Sequence, residues 1–490
     1  MCDRINMHQV LEKMEKQRAG SNFFRYQTEK RMKEVSAETF FRDVRICAHN
    51  LEYSNLCGRH IGIMGKNSYE WMVSFCAVLW IGSVVVLLDR QMDSSALMEL
   101  ADRVDLDALL YDNSVVDTVC AADWKAQFHR QPMEEFIQER KNVKHFAFAP
   151  PVEQKKEDLA CIFFTSGTTG KNKAVMLSSG GLTASVCCQV NDKPFHSLLA
   201  VLPFHHMAGF VMVMNALYLG AEVCLADDLR HFYRYLKEMK PDYVPVVPSM
   251  LPVLVRKLKK GGIHGKDLGW NLHMIHCGGA AFRPEFLQIL LEHDILVLQG
   301  YGASEAGGIG FMWEMSPDRP DTIGKPPAQM QVKMIDGELY LKSESVMMGY
   351  YGDPEGTEQV LHDGWYATGD LCRADADGYL YLTGRKKNLI ILSNGENISP
   401  EEIETRLYAC EDIQEVMVGV ENEMLMAAVY PACSSAASES DKQTAKERIE
   451  QFMKQYNRKV PMYKQIHQIR FLEEPFVKTA VGKLIRHNRN

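Results

Sequence analysis

Apolar residues in this chain form short runs that glycine and charged residues interrupt. Residues 71–88 (WMVSFCAVLWIGSVVVLL) make a run of 18 without a charge, close to the length of about 20 residues with which a helix crosses a membrane. Gly82 divides this run into a helix-like half and a β-branched half that ends before Asp89. The pattern predicts a helix, a turn and a buried parallel strand. We therefore expect no membrane span here.

The same pattern occurs a second time. Residues 77–89 (AVLWIGSVVVLLD) and 215–227 (NALYLGAEVCLAD) both pass from an apolar helix end through a glycine and a buried strand to an aspartate. Two such units predict two related layers of parallel sheet with helices packed on them, an α/β architecture. Further elements alternate in the same way, with strands at 59–64, 160–165, 199–202 and 272–277 and a helix at 286–292.

A different pattern occupies the last third of the chain. Residues 337–344 (GELYLKSE) and 378–385 (GYLYLTGR) alternate apolar and polar positions, which predicts antiparallel strands with one solvent-exposed face. A later segment, residues 399–410 (SPEEIETRLYAC), predicts a helix that Ser399 caps.

These patterns divide the chain in two. We predict a large N-terminal domain, residues 1–385, in which layered parallel sheets and helices are joined by a smaller antiparallel β part. A small α+β C-terminal domain, residues 386–490, follows. A chain of 490 residues is too long for one ordinary core.

Composition and charge exclude several classes of protein. Hydrophobic residues make up 46% and charged residues 24%, and the formal net charge of −8 gives no reason to expect a nucleic acid partner. The 13 cysteines show no CxxC spacing, so we expect reduced thiols and a cytoplasmic protein. The N-terminus is charged and lacks the apolar core of a signal peptide.

A Ser/Thr/Gly-rich loop is the strongest local feature. In residues 161–178 (CIFFTSGTTGKNKAVMLS) a buried strand leads into six such residues, followed by Lys171 and Lys173. Glycines allow backbone amides to turn toward an anion, and hydroxyls and lysines add donors and charge. A plain polar turn is the alternative. The loop is not a Walker A motif, because only two residues separate Gly167 from Gly170.

Two further segments carry candidate chemistry. In QGYGASEAGG, residues 299–308, a glycine-flanked Tyr301 is suited to pack on a ring, and Glu305 is suited to bind magnesium beside a polyphosphate, although a loop glutamate is often only solvated. In the second segment, residues 363–404, Asp370 is placed to accept from ribose hydroxyls. Arg385 ends a strand and could reach the same sugar or a phosphate; an exposed basic run is the alternative.

In this order the segments resemble the acyl-adenylate-forming superfamily, which contains acyl-CoA synthetases, adenylation domains of peptide synthetases and firefly luciferase. The resemblance covers nearly the whole chain, and the block GRKKNLIILSNGENISPEEIE is most similar to that of fatty acyl-CoA synthetases. It implies ATP and Mg²⁺ as cofactors, and a reaction in which a carboxylic acid becomes an acyl-adenylate and is then transferred to a thiol.

The resemblance also implies a role for each matching residue. The β- and γ-phosphate loop corresponds to Thr165, Ser166, Gly167, Thr168, Thr169 and Lys173. The adenine and acyl-pocket segment corresponds to Gly279, Ala280 and Ala281, and the adenine-stacking aromatic and its neighbour to Tyr301 and Gly302. Ser304 corresponds to the α-phosphate hydroxyl, Glu305 and Thr165 to the metal ligands, and Asp370 and Arg385 to the ribose ligand and its neighbour. The hinge, the thiol tunnel and the lysine that bridges carboxylate and α-phosphate correspond to Lys387, Gly395 and Lys483.

Charge explains why such residues are needed. A carboxylate attacks the α-phosphorus of ATP, so two anions must approach each other. A magnesium ion and Lys483 would offset this repulsion, and a lysine that contacts both reactants would also fix their geometry. In the family the small domain rotates after adenylation, which implies that Lys483 leaves while the segment around Gly395 enters to line a thiol tunnel.

The segment VLPFHHMAGF, residues 201–210, corresponds to the opening of the acyl pocket. His206 matches the aromatic residue beside the substrate carboxylate, and an ordinary packed histidine is the alternative for His205. No acidic residue occurs in the segment to pair with an α-ammonium, so we expect a fatty or aromatic acid. Met207, Met212 and Met214 could line an adaptable pocket or pack in the core.

Several alternatives remain open from the sequence. The thiol could belong to coenzyme A or to the phosphopantetheine of a separate carrier protein, and a stand-alone adenylation enzyme of a peptide synthetase or polyketide pathway is the main rival. A non-catalytic nucleotide-binding relative is the second. A zinc protein built on His205, His206, His273 and His276 is remote, because tight ligand spacing is missing.

Overall fold

The computed structural model of the 490-residue chain describes residues 6–17, 20–28, 31–125, 128–138, 152, 154–165, 172–188, 193–278, 282, 284–308, 310–391, 397–421, 424–432, 438–477, 484 and 486.

The helices and strands are given in chain order. The first third contains α1 (Met7–Gln17), β1 (Asn22–Gln27), β2 (Met32–Ser36), α2 (Ala37–Tyr53), β3 (His60–Met64), α3 (Tyr69–Trp80), β4 (Val84–Leu88), α4 (Ser94–Arg103), β5 (Ala108–Tyr111), α5 (Val116–Ala121), β6 (His129–Pro132) and α6 (Met133–Phe136). The middle contains β7 (Leu159–Thr165), β8 (Lys173–Ser178), α7 (Ser179–Cys187), β9 (Ser197–Ala200), α8 (Met207–Leu219), β10 (Glu222–Leu225), α9 (Phe232–Met239), β11 (Tyr243–Val246), α10 (Leu251–Leu258), β12 (Met274–Gly278), α11 (Pro284–Glu292), β13 (Leu296–Tyr301) and β14 (Phe311–Glu314). The last third contains β15 (Gln331–Ile335), β16 (Glu338–Lys342), β17 (Gly349–Tyr350), α12 (Pro354–Glu358), β18 (Leu361–His362), β19 (Trp365–Ala374), β20 (Leu380–Arg385), β21 (Ile390–Ile391), β22 (Asn397–Ile398), α13 (Pro400–Leu407), β23 (Ile413–Glu421), β24 (Met424–Pro431), α14 (Glu439–Asn457) and β25 (Gln468–Phe471).

Two large sheets form the N-terminal part of the molecule. One has seven strands in the order β17-β8-β7-β4-β3-β5-β6, and the other has eight in the order β14-β13-β12-β11-β9-β10-β1-β2. Their central strand pairs are parallel, and antiparallel pairs lie toward the edges. Strand β4 belongs to the first sheet and β10 to the second, so the repeated sequence pattern produced two layers, as predicted. The predicted strands and helix match β3, β7, β9, β12 and α11, with ends shifted by one or two residues.

The repeated helices α3 and α8 are apolar on all sides because both are buried. Phe75 of α3 and Phe210 of α8 pack with their ring centroids 4.2 Å apart. Each helix is followed by a glycine with positive φ, +70° at Gly82 and +96° at Gly220, a conformation that glycine adopts without strain. None of the described helices is long and apolar enough to cross a membrane.

Reciprocal contacts join the two repeated units. Lys66, which follows β3, lies 3.2 Å from Asp227, which follows β10. In the other direction, Nε2 of His205 lies 3.4 Å from Asp89, which follows β4. Each unit therefore places the aspartate at the end of its last strand against a basic side chain from the other unit.

A third sheet lies beside the two large ones. Its strands run β15-β16-β19-β18, with β20 paired to β19, and all of its pairs are antiparallel. The two alternating sequence segments form β16 and β20, as predicted.

The chain after β20 forms a smaller α+β unit with a core of its own. Strands β23-β24-β25 make one sheet, and helices α13 and α14 accompany it. Ser399 caps α13, as predicted, by accepting from the backbone N–H of Glu402. Arg486 forms an ion pair with Glu404 of α13. This contact holds one described residue of the C-terminal segment against the unit.

Candidate active site

The end of β13 is joined to the third sheet by a group that we call the Asp370 cluster: Tyr301, Asp370 and Arg385. The hydroxyl of Tyr301 donates to Oδ2 of Asp370 at 2.7 Å, and Nε of Arg385 donates to Oδ1 at 2.6 Å. Strands β19 and β20 pair Asp370 with Arg385 directly in register. Burial and the Asp370 carboxylate raise the pKa of Tyr301, so its phenol stays a neutral donor. A ring, an anion and a cation are thus fixed together.

The loop after Tyr301 turns too tightly for side chains at two positions. A Cβ on Gly302 would lie 1.8 Å from the carbonyl oxygen of Gly308, and Gly308 has a φ of +95°. The loop therefore folds back on itself, and Ser304 and Glu305 begin a short 3₁₀ turn directly beyond Tyr301.

A second group, the Glu305 cluster, comprises Lys173, Glu305 and Tyr350. The Tyr350 hydroxyl donates to Oε1 of Glu305 at 3.1 Å, and Nζ of Lys173 lies 4.3 Å from the centroid of the Tyr350 ring. Burial, followed by the charge of Glu305, raises the pKa of Tyr350. Lys173 begins β8 directly opposite Thr165, which ends β7. One phenol therefore links the strand ends of the first sheet to the loop of the second.

The sequence analysis did not single out Tyr350 or a second tyrosine, Tyr366. Tyr366 is 6% exposed, and its pKa is raised by burial and by the charge of Glu305. Tyr366 stands four residues before Asp370, within residues 363–404, whereas Tyr350 stands in residues 349–353 (GYYGD), outside the segments discussed above. For Tyr366 the available signal was an aromatic residue close in sequence to a candidate site residue; for Tyr350 there was none, and only the tertiary structure shows that both approach Glu305.

The structure describes Thr165 and Lys173 at the two ends of the Ser/Thr/Gly loop, and Thr165 is half-buried. The other predicted residues of the loop and several elsewhere lie outside the described part of the chain: Ser166, Gly167, Thr168, Thr169, Gly279, Ala280, Ala281, Gly395 and Lys483. Lys173, at one end of the loop, belongs to the Glu305 cluster, and Thr165, at the other end, pairs directly with Lys173.

The histidine pair lies at the start of α8. His206 is the cap residue of the helix, and its ring centroid lies 4.3 Å from that of His205. His205 is 8% exposed and contacts Asp89. Burial and the neighbouring His206 lower the pKa of His205 to about 4, so the ring is neutral at physiological pH. This environment is that of a packed histidine, the alternative that the sequence left open for His205.

A small cavity lies beside α8. Its lining residues come from α7, α8, β11, β14 and the segment after α7: Ser185, Cys188, Val211, Met212, Asn215, Tyr243 and Met312. The three methionines considered in the sequence analysis, Met207, Met212 and Met214, all pack in the core, and Met212 also lines this cavity. Core packing, one of the two explanations offered by the sequence, therefore applies to all three.

The predicted hinge, Lys387, lies in a 3₁₀ turn between β20 and β21. On one side Lys386 pairs with Glu338 of the third sheet at 2.7 Å, and on the other Asn388 donates to Glu401 of α13 at 2.5 Å. Lys387 thus stands between contacts to each of the two parts of the molecule.

The zinc alternative receives no support from the geometry. His273 stacks against His264, with ring centroids 3.8 Å apart, whereas His205 pairs with His206. Within the described ranges, no group of three His, Cys, Asp or Glu side chains is arranged to bind a metal ion.

Comparison with known protein families gives two matches. The model of the AMP-binding enzyme family matches residues 16–351, and that of the AMP-binding enzyme C-terminal domain matches residues 387–489.

Individual proteins resemble the chain over most of its length. The 2-succinylbenzoate–CoA ligase of Enterococcus faecalis is 29% identical over 466 residues, which cover 88% of this chain and 87% of the relative. The structure of O-succinylbenzoate coenzyme A synthetase from Bacillus subtilis with AMP superposes with a TM-score of 0.79 at 21% identity, covering 97% and 96% of the two chains. An anthranilate CoA ligase with anthranoyl-AMP superposes with a TM-score of 0.82 at 19% identity, covering 98% and 95%. At these identities the structures establish the shared fold.

Proposed function

Because the chain belongs to the AMP-binding enzyme family, we propose that it forms an acyl-adenylate from ATP and an aromatic carboxylic acid and then transfers the acyl group to coenzyme A. The chain is an AMP-forming acid–thiol ligase of α/β fold. The acid, the thiol and the roles of single residues are what we propose.

The observation that supports this proposal is that one short loop contributes a residue to each of the two clusters. Tyr301 of the Asp370 cluster and Glu305 of the Glu305 cluster are four residues apart, and the tight turn at Gly302 connects them. One cluster offers a ring, a carboxylate and a guanidinium, which suit a nucleoside. The other offers a carboxylate and an ammonium, which suit a polyphosphate with its cation. A nucleoside triphosphate requires both kinds of group side by side.

We assign the nucleotide contacts accordingly. Tyr301 and Gly302 would contact the adenine, Asp370 and Arg385 the ribose, and Ser304 the α-phosphate. The loop from Thr165 to Lys173 would bind the β- and γ-phosphates, and the segment Gly279 to Ala281 would lie along the adenine.

Mg²⁺ fits the oxygen donors of this site. The Glu305 carboxylate is half-buried, and Thr165 ends β7 beside Lys173. Hard oxygen donors suit Mg²⁺, and so few protein ligands leave positions for phosphate oxygens and water. We assign both residues as its ligands; the bound ion would supply positive charge next to the phosphates.

The reaction follows in two steps. A carboxylate oxygen attacks the α-phosphorus, the bond to the β-phosphate oxygen breaks, and pyrophosphate leaves. Lys483 would stabilise the developing charge, and His206 would lie beside the carboxylate. The thiolate of coenzyme A then attacks the acyl carbon, the carbon–oxygen bond breaks, and AMP leaves. We propose that rotation of residues 386–490 against residues 1–385 about Lys387 separates the steps and brings Gly395 to the thiol.

An aromatic acid is favoured over a fatty acid by the relatives reported above, which are named for 2-succinylbenzoate and anthranilate, both aromatic acids. Fatty acid metabolism therefore has less support than the sequence alone suggested.

A panel of carboxylic acids tests the proposal. Pyrophosphate release should require an acid, and substituted benzoates should exceed octanoate in kcat/KM. Coenzyme A should convert the adenylate to a thioester, detected by mass spectrometry. Release of pyrophosphate without thioester, together with loading of a phosphopantetheinylated carrier protein, would favour the stand-alone adenylation enzyme. ATP binding without pyrophosphate release for any acid would identify a non-catalytic relative.

A further inference from the structure

Two buried polar side chains on the sheet face beside α8 make no hydrogen bond within the described part of the chain. His276 of β12 is 6% exposed, and its buried Nδ1 has no hydrogen-bond partner. Tyr243 of β11 is 4% exposed and lines the cavity described above. A buried polar group without a partner costs about 1–3 kcal/mol, so a ligand that supplies a partner to His276 Nδ1 would be stabilised on this surface, where Tyr243 lines the cavity.

The strand registers place both residues on one face of the sheet. Tyr243 pairs with Met274 and Pro245 pairs with His276, and side chains of directly paired residues lie on the same face. The cavity-lining residue Met312 of β14 lies on this face too. It pairs with Gly300 of β13, and Gly300 pairs with Gly278 of β12, which is two residues beyond His276 and therefore on the same face. The imidazole therefore lies on the same surface as the cavity.

Two glycines on the neighbouring strand positions leave the room that the imidazole occupies. A Cβ on Gly300 would lie 2.3 Å from Nε2 of His276, and one on Gly278 would lie 3.1 Å from it. Any larger residue at Gly300 would displace the ring. Since Gly300 immediately precedes Tyr301, the Nε2 edge of His276 packs against the backbone one residue before the Asp370 cluster, and Nδ1 is the ring atom without a partner.

No charged side chain lines the cavity among the residues that the structure describes there. A carboxylate buried in such a place without a cation would be strongly unfavourable. The group of the substrate that enters this space is therefore expected to be uncharged.

We propose, on the basis of the proposed function, that the substrate is an aromatic monocarboxylic acid with a neutral hydrogen-bonding substituent, and that His276 and Tyr243 recognise that substituent. Carbonyl, hydroxyl, amide and amine groups all satisfy this chemistry. The second carboxylate of 2-succinylbenzoate does not, so this chain would differ from the named acid of the relative in Enterococcus faecalis.

Pairs of acids that differ only in hydrogen bonding test the proposal. The acetylbenzoates and isopropenylbenzoates, in their ortho, meta and para forms, have nearly the same shape, and only the acetyl group accepts a hydrogen bond. At one of the three ring positions, we expect the wild type to prefer the acetylbenzoate over the isopropenylbenzoate by about 10-fold or more in kcat/KM for pyrophosphate release. We also expect it to prefer that acetylbenzoate over 2-succinylbenzoate. His276→Leu and Tyr243→Phe should each reduce this ratio by about 10-fold for the recognised pair.

Matched controls separate recognition from folding. His264→Leu removes another buried imidazole, which is not among the cavity-lining residues, and Tyr233→Phe removes another phenol oxygen, from the core on the other face of the sheet; neither should change the ratio. Tyr243→Phe loses no hydrogen bond to the described residues, so it should fold even if His276→Leu does not. A wild-type ratio near 1 at all three positions, an unchanged ratio in the folded variants, or a preference for 2-succinylbenzoate would overturn the proposal. Failure to activate any acid would instead contradict the proposed function.

Discussion

The nucleotide side and the acyl side of the site are prepared in opposite ways. On the nucleotide side, Asp370 and Glu305 accept hydrogen bonds from neighbouring tyrosines, and Asp370 also pairs with Arg385, before any ligand is present. On the acyl side, His276 and Tyr243 are neutral and lack partners in the described structure. This difference indicates where preorganisation is useful. Buried charged groups need fixed partners, whereas a buried neutral group can remain without a hydrogen-bond partner until a substrate supplies one.

Lys483→Ala gives the largest expected effect, because it removes the cation that we assign between the two anionic reactants. Adenylate formation should fall by at least about 10³-fold, whereas thioester formation from supplied acyl-adenylate should persist. Lys387→Pro should show the reverse, since it restricts the hinge. The two half-reactions can be measured separately by pyrophosphate release and by thioester formation. Equal loss of both half-reactions in Lys483→Ala would contradict the alternation of domains.

Asp370→Asn tests the preorganised side. The amide keeps the size of the side chain but removes the charge that pairs with Arg385, so we expect the KM for ATP to rise by about 10²-fold and the stability to fall by about 1.5–3 kcal/mol, the range for a hydrogen bond to a charged group. Asp375→Asn, which breaks another Asp–Arg pair on the same hairpin, is the matched control; the Asp375 side chain is 25% exposed against 10% for Asp370, so this pair should contribute about 1 kcal/mol or less. Equal effects of the two variants on the KM for ATP and on stability would show that the Asp370 cluster has no special role in binding the nucleotide.

Tyr350→Phe removes one hydroxyl from the Glu305 cluster and keeps the ring beneath Lys173. Loss of a hydrogen bond to a charged group corresponds to about 1.5–3 kcal/mol, so the Mg²⁺ concentration for half-maximal rate should rise by about 10-fold. Tyr351→Phe is the control, because its neighbouring hydroxyl bonds the exposed Asp105 instead. If Tyr350→Phe leaves the Mg²⁺ dependence unchanged, the phenol does not position Glu305.

The last prediction concerns the stability of the acyl side and not its activity: the free energy of unfolding should depend on pH through His276. Burial lowers the pKa of His276 to about 4, against about 6.5 in the unfolded chain. Below pH 6.5 the unfolded state therefore binds a proton that the native state does not, and the native state loses about 1.4 kcal/mol per pH unit until pH 4. The difference in unfolding free energy between pH 7 and pH 5 should be smaller in His276→Leu than in wild type. An equal difference in both would show that the imidazole is solvated.

The sequence predicted the fold better than the contacts of the site. The glycines at positions 82 and 220 and the buried strands after them specified two parallel layers, because their helix–turn–strand chemistry is local. By contrast, Tyr350 reaches Glu305 from 45 residues away in the chain, through the pairing of β17 with β8. The sequence analysis considered His276 only as a remote zinc ligand. Only the pairing of the strands shows that Gly278 and Gly300 leave room for its ring on the same face as Tyr243.

Oxygen transfer from the acid to AMP tests the central claim most directly. If a carboxylate oxygen attacks the α-phosphorus, an acid with ¹⁸O in both carboxylate positions must leave one ¹⁸O in the AMP that is released on thiolysis. The account predicts AMP heavier by one ¹⁸O in mass spectrometry, with pyrophosphate unlabelled. Unlabelled AMP formed in the presence of the acid would mean that water cleaves the nucleotide, and would contradict the account.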